Sequence, residues 1–428
     1  MTYEEAIAYL EQSASFGIKP GLERIERLLQ ALGNPEKAYK IVHVTGTNGK
    51  GSVTSFIASA LTESGYRVGR FTSPHLARYT ERFCIDGADI CDDTFIKLVE
   101  TIQPAVAKLV ATGMESPTQF ELLTAMGFLC FKEAGVDYAV VEVGLGGLLD
   151  STNVVMPEVA VITNVTIDHQ AYCGRTIPEI ATHKAGIIKP GRPVVTTATG
   201  EALDVITKTA ESKKSPIRII DVPSVIKEVS HTDAGQSITV AGYDRPFITA
   251  LRGVYQSANL VCALGALKVL QETDSAITDE AVYEGIRKTV WPGRFEVVQA
   301  LDRIFIFDGA HNRDGAEAFD ETYRAWYGTT PKTMVMAILK DKEVDSMIGY
   351  LVKSDDTVFT VPAPTPRSSE PEELARAIGR GIPMQSVGDG LSEAMKVTGH
   401  NDIIAVAGSL YILGEAKAWL KTALHNVQ

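Results

Sequence analysis

Lys50 sits in surroundings suited to a polyphosphate. It belongs to the run IVHVTGTNGKGS (41–52), where four strand-forming residues give way to glycines and a closing hydroxyl, Ser52. Glycines let backbone N–H groups crowd around phosphate oxygens, and a helix beginning at the turn adds the positive end of its dipole. Lys50 can then reach β- and γ-phosphates while Ser52 helps hold a magnesium ion. The spacing departs from the usual P-loop: Gly46 to Gly49 is a shortened interval, and Gly51 is inserted between lysine and hydroxyl. Glu142 closes the otherwise apolar run YAVVEV (138–143) ahead of Gly144-Leu-Gly-Gly147. Magnesium coordination would offset the desolvation of a carboxylate there, and an edge glutamate is the plainer reading. Asp168 and His169 follow VAVIT (159–163); the imidazole can ligate a metal and the carboxylate can orient it or balance charge. Lys184 lies on an apolar, helix-like segment, where a lysine is usually solvated or ion-paired. In FDGAHN (307–312), Asp308 suits ribose hydroxyls and His311 a phosphate or sugar. Arg294, in WPGRF (291–295), can bridge phosphate charge or form a surface salt bridge.

These groups follow candidate strands, and ligands in open α/β sheets gather beyond the carboxyl ends of strands. Strands are expected at 41–44, 138–143, 159–163 and 193–196, with helices at 53–64, 120–134 and 177–187. The alternation predicts a largely parallel, doubly wound sheet. The stretch 217–250 reads as a small antiparallel sheet, followed by helices at 256–271 and 278–290. Proline and glycine at 291–295 mark a boundary. Beyond it, strands at 304–307, 333–338, 357–361 and 403–407 give a second α/β core. The proline-dense loop 361–367 reads as a rigid connection.

The chain has 428 residues, enough for two or three domains, with 45% hydrophobic and 22% charged residues. Its formal charge of −12 argues against an extended nucleic-acid or anionic-membrane footprint. The opening residues lack the basic start and apolar core of a secretory leader, and no apolar run reaches membrane-spanning length. Five scattered cysteines without a CxxC pair suit a reducing cytoplasm and no disulfide framework.

Taken in order, the motifs HVTGTNGKGS (43–52), SPHL (73–76), ERF (81–83), EVGLGG (142–147), DSTN (150–153), DH (168–169), KAGIIK (184–189), WPGR (291–294), DGAHN (308–312) and GSLY (408–411) resemble those of the folylpolyglutamate and dihydrofolate synthase family, within the Mur-type ATP-dependent amide ligases. Asp168-His-Gln170 together with His183-Lys184 is similar to Gram-positive folylpolyglutamate synthases. The resemblance implies an α/β protein in two parts: a Mur-ligase-like P-loop domain with a small antiparallel sheet (1–296) and a Rossmann-like α/β domain (297–428). It implies ATP-dependent addition of L-glutamate to the γ-carboxyl of a folate, with dihydropteroate as the alternative acceptor. Thr47, Asn48, Gly49, Lys50, Gly51 and Ser52 would bind ATP, joined by Asn259, Arg294, Asp308 and His311 from across the cleft. Ser52, Ser73, Glu142, His169 and Lys184 would hold magnesium, Lys184 as a carbamate, with a monovalent cation such as K+ as a further component. Lys50, Lys184, Asp168 and His311 are the expected catalytic groups, in a cytoplasmic monomer. The competing readings are a cell-wall ligase with a UDP-linked substrate and a catalytically silent nucleotide-binding regulator. SPHL and GSLY disfavour the first.

Overall fold

A computed structural model describes every residue except 15, 16, 18, 169, 233 and 426–428. An eight-stranded sheet runs in the order Ala88–Asp89, Phe83–Ile85, Val68–Phe71, Tyr138–Glu142, Lys40–Thr45, Val159–Ile162, Val194–Thr196, Ile217–Ile219. The last six are parallel, and the two edge strands at the other end turn antiparallel. Lys40–Thr45 and Tyr138–Glu142 lie side by side at the centre, with Val44 opposite Glu142. Side chains alternate across a strand, so one run feeds two cores. Val42, Val44, Val140 and Val161 pack in the same core as residues of helices Lys50–Glu63, Gln256–Gln271 and Asp279–Lys288. Ile41, Ala139 and Val141 join a second core with residues of helices Tyr3–Ala14, Asp92–Ala111 and Gln119–Ala134. Helix Gln119–Ala134 is closed at both ends: Thr118 and Glu121 form a capping box, and Gly135 at φ 66° ends it.

A three-stranded antiparallel sheet, Ile226–Thr232, Gly235–Val240 and Phe247–Thr249, follows. A six-stranded sheet then runs Glu296–Ala300, Arg303–Phe307, Ile403–Ala407, Lys332–Met336, Thr357–Thr360, Ile382–Pro383, parallel except for its first pair. At its base the ion pair Lys332–Asp356 (2.6 Å) is almost fully enclosed. The loop 361–367 is tied down, since Lys340 N–H donates to the Arg367 carbonyl (2.9 Å) and Ala363 N–H to Ser368 Oγ (2.9 Å).

The structure corrects two expectations and adds strands that the sequence did not show. The helix expected from residue 53 begins instead at Lys50, making the lysine its first residue. The segment Ile217–Ile219 is the eighth strand of the large sheet, so the small sheet starts only at Ile226. Strand Val68–Phe71 and the two edge strands Phe83–Ile85 and Ala88–Asp89 are too short, at two to four residues, to show an apolar pattern in the sequence. All five cysteines are free; Cys84, Cys130, Cys173 and Cys262 are buried and Cys91 is exposed. Among the described residues, no helix is long and apolar enough to cross a membrane.

Candidate active site

The turn 46–52 is clamped from the neighbouring strand exit. Thr47 N–H donates to the Asn164 carbonyl (2.9 Å), Asn48 N–H to Asn164 Oδ1 (2.8 Å), and Thr163 Oγ1 to the Asn48 carbonyl (2.7 Å). Thr47 and Asn48 therefore spend their N–H groups on shaping the turn. The first-turn N–H groups at 50–52 are those a helix leaves without an intrahelical acceptor. Lys50 Nζ donates to the Gly46 and Thr47 carbonyls (3.2 and 3.0 Å), which centres its charge over the turn. Gly49 has φ 82°, and a Cβ there would meet Asn259 Oδ1 at 2.2 Å, so only glycine lets Asn259 seat on the turn. Asn259 lies on helix Gln256–Gln271, in the same layer as the turn. That helix also supplies Gln256, whose Nε2 donates to buried Ser52 Oγ (3.3 Å) and whose Oε1 accepts from Asn259 Nδ2 (2.9 Å).

Glu142 is buried, and its Oε2 accepts from Ser73 N–H (3.3 Å). Burial raises its pKa, opposed by Lys50, the Ser73 N–H, Arg294 and Arg70. Lys184 occupies the last turn of helix Ile177–Ala185 and is also buried. Burial, then the nearby Lys50 charge, lowers its pKa to about 7, while Cys173 and Asp168 oppose the shift. The glycine loop after Glu142 explains that helix's placement. A Cβ on Gly147 would stand 2.8 Å from the His183 carbonyl, which also accepts from Leu148 N–H (2.7 Å).

From the six-stranded sheet, Asp308 directs Oδ2 to Phe295 N–H (2.7 Å) and Oδ1 to Ala310 N–H (2.8 Å). Burial raises its pKa to about 6 against the pull of Arg294 and these N–H groups. His311 Nδ1 pairs with the Gly309 carbonyl (2.8 Å). A carbonyl can only accept, so Nδ1 carries the proton and Nε2 is bare in the neutral ring. Burial lowers the His311 pKa to about 4, aided by Arg294 and Lys342 and opposed by the Gly309 carbonyl and Asp168. Arg294 acts on both Glu142 and Asp308, so the carboxyl ends of the two sheets share one electrostatic environment.

Ser52 and Asn259 meet through Gln256, Lys50 and Ser73 bear on Glu142, Lys50 and Asp168 bear on Lys184, and Arg294 bears on Asp308 and His311; His169 falls outside the described residues. The contact found for Ser73 runs through its backbone N–H. Among the described residues no set of three or more His, Cys, Asp or Glu gathers as a metal site. Several contributors went unread in the sequence: Asn164, Gln256, Arg70 and Tyr255, whose hydroxyl lies near Asp308 and Arg294. Asn164 could have been found, because it follows a strand directly. A second unread set is the buried chain His43 Nε2–Thr152 Oγ1 (2.8 Å) and Thr152 Oγ1–Asp150 Oδ1 (2.5 Å). Thr152 donates to the carboxylate and therefore accepts from His43, while Asp150 Oδ2 holds Leu145 N–H (2.8 Å) in the glycine loop.

A parallel sheet with a phosphate turn at its centre, facing a second α/β sheet, defines the class, and sequence comparison agrees. Residues 44–267 match the Mur ligase middle domain and residues 293–410 the Mur ligase glutamate ligase domain. The dihydrofolate synthase/folylpolyglutamate synthase of Bacillus subtilis (strain 168) is 38% identical, covering 98% of this chain and 99% of that one. The folylpolyglutamate synthase of Lacticaseibacillus casei is 36% identical, with 98% and 99% covered. Among solved structures, Mycobacterium tuberculosis folylpolyglutamate synthase complexed with ADP and AMPPCP superposes with TM-score 0.88 at 30% identity, covering 98% and 99%. Escherichia coli FolC in complex with DHPP and ADP gives 0.86 at 30% identity, covering 99% and 98%. The chain belongs to the Mur ligase family. Within it, the chain is a member of the folylpolyglutamate and dihydrofolate synthases, ATP-dependent amide-forming ligases.

Proposed function

We propose that this enzyme adds L-glutamate to the γ-carboxyl of a reduced folate through an acyl phosphate. The observation that carries the reading is the phosphate turn with Lys50 over it beside buried Glu142 at the end of one sheet, and Arg294 against Gly309 beside buried Asp308 at the end of the other. A folate carboxylate oxygen attacks the γ-phosphorus of ATP, and the electron pair of the breaking bond leaves with ADP. Lys50 and the first-turn N–H groups stabilise the charge on the phosphates. The glutamate amine then attacks the acyl carbonyl, and the tetrahedral adduct collapses to amide and phosphate. A neutral His311 with a bare Nε2, beside Asp168, supports a part in moving the amine proton. Closure between the sheets would keep water from the acyl phosphate.

Glu142, a buried carboxylate, and Ser52, a buried hydroxyl, offer the hard oxygen donors that magnesium takes, with Ser73 and His169 completing the proposed set. Bound there, magnesium would neutralise phosphate charge. A Lys184 pKa near 7 supplies the free amine that a carbamate requires. We take 1–296 as the ATP-binding domain and 297–428 as its partner, a division at the first residue of strand Glu296–Ala300. The working species on this reading is a cytoplasmic monomer, with K+ as a candidate further ion; sedimentation and a K+ titration of activity check these points.

The test is glutamate-dependent ADP release by purified protein with a reduced folate and, in parallel, 7,8-dihydropteroate. No product with either acceptor sinks the proposal. The dihydropteroate arm has its own support, because the Bacillus relative carries both activities in its name and the E. coli structure holds DHPP.

A further inference from the structure

Gly51 is the residue that separates this turn from an ordinary P-loop, and its backbone does not explain it. It lies inside helix Lys50–Glu63 and outside the left-handed region. The explanation is steric: a Cβ on Gly51 would stand 2.3 Å from Cζ2 and 2.7 Å from Cε2 of Trp291. The indole therefore rests directly on the phosphate turn. Arg70 lies over the ring, with its guanidinium carbon 5.1 Å from the centroid, and donates from Nη1 to Ser55 Oγ of the same helix (3.2 Å). Trp291 also packs against the core beneath that helix.

The opposite end of the same strap is fastened to the other sheet. Gly309 N–H donates to the Gly293 carbonyl (2.9 Å), Phe295 N–H to Asp308 Oδ2 (2.7 Å), and Gly293 N–H to Glu296 Oε2 (2.8 Å). Arg294 lies between these anchors, with Nη1 on the Gly293 carbonyl (3.1 Å). Five residues thus run from the phosphate turn to the Asp308 loop. The Trp291 Nε1 and Arg70 Nε donors are buried and meet no acceptor among the described residues.

We propose that Trp291 is a positioning residue: seated on Gly51 beneath Arg70, it sets the register of the strap 291–295 and so the placement of Arg294 and Asp308 relative to the phosphate turn. The inserted Gly51 and the indole form one device, in which the first makes room for the second. Displacement of the helix start by a bound nucleotide is passed along the strap to the far sheet. The inference rests on the ligase reading for its kinetic consequence, and on geometry alone for its mechanical one.

The mechanical part is tested in the full chain carrying W326F and W419F, which leaves Trp291 as the sole indole. Saturating ADP with magnesium chloride should change its emission; emission that does not respond overturns the coupling. The kinetic part uses W291F and W291A with the native remainder. Loss of the indole should lower kcat about tenfold or more in W291A, less in W291F, and by a clearly larger factor than it weakens ADP binding. Unchanged kcat in W291A, or kcat and affinity falling together in both variants, overturns a positioning role. A native enzyme releasing no ADP with glutamate sinks the ligase reading instead, and leaves the emission titration to decide the coupling.

Discussion

Lys184 is buried near the half-buried Lys50, and the repulsion between their charges has a measurable consequence. Burial and the Lys50 charge bring the Lys184 pKa to about 7, so its free-amine fraction grows as pH rises through neutrality. If the free amine, or the carbamate formed from it, is needed, kcat should climb between roughly pH 6 and 8 and respond to added bicarbonate. A flat profile across that range counts against this role, as does a Lys184 peptide that never gains the mass of carbon dioxide. Lys50→Ala should reduce glutamate-dependent ADP release by about a hundredfold or more while the melting temperature moves little. Near-native turnover in that variant would remove the turn from the mechanism. Lys50 was legible from spacing because glycine, lysine and hydroxyl lie adjacent in sequence. Lys184 was not, because its character comes from burial and from a neighbour over a hundred positions away.

Elements place these side chains through close approach. Gly49→Ala would force a left-handed backbone on alanine and drive its Cβ to 2.2 Å from Asn259 Oδ1. ADP affinity measured by calorimetry should fall about tenfold or more, since the backbone and the Asn259 seat are both disturbed. Further from the chemistry, Thr118→Ala removes one half of a reciprocal cap and should cost about 1 kcal/mol in urea unfolding, with turnover preserved. A loss below a few tenths would show that the cap is redundant. The central strands were readable because strands buried on both faces are continuous apolar runs, as at Tyr138–Glu142. The short interior strand Val68–Phe71 was hidden, since its Arg70 belongs to a contact with Trp291 that no local pattern announces.

At the scale of the molecule, Arg294 links groups from the two sheets, and periodicity within either half could not reveal that they face each other. Family motifs supplied the expectation, and the common influence of Arg294 on Glu142 and Asp308 gives it physical content. If one acceptor site serves both reactions, dihydropteroate should inhibit glutamate addition to a reduced folate competitively. Independent, additive rates from a mixture of the two acceptors would indicate separate sites. Experiments on such motion need a reporter, and the chain already carries one chemical handle. Four of its five thiols are enclosed, whereas Cys91 is exposed beside helix Asp92–Ala111, and a hydrogen bond with Thr94 lowers its pKa. A maleimide dye at neutral pH should therefore attach once, at a known position, without any residue being replaced.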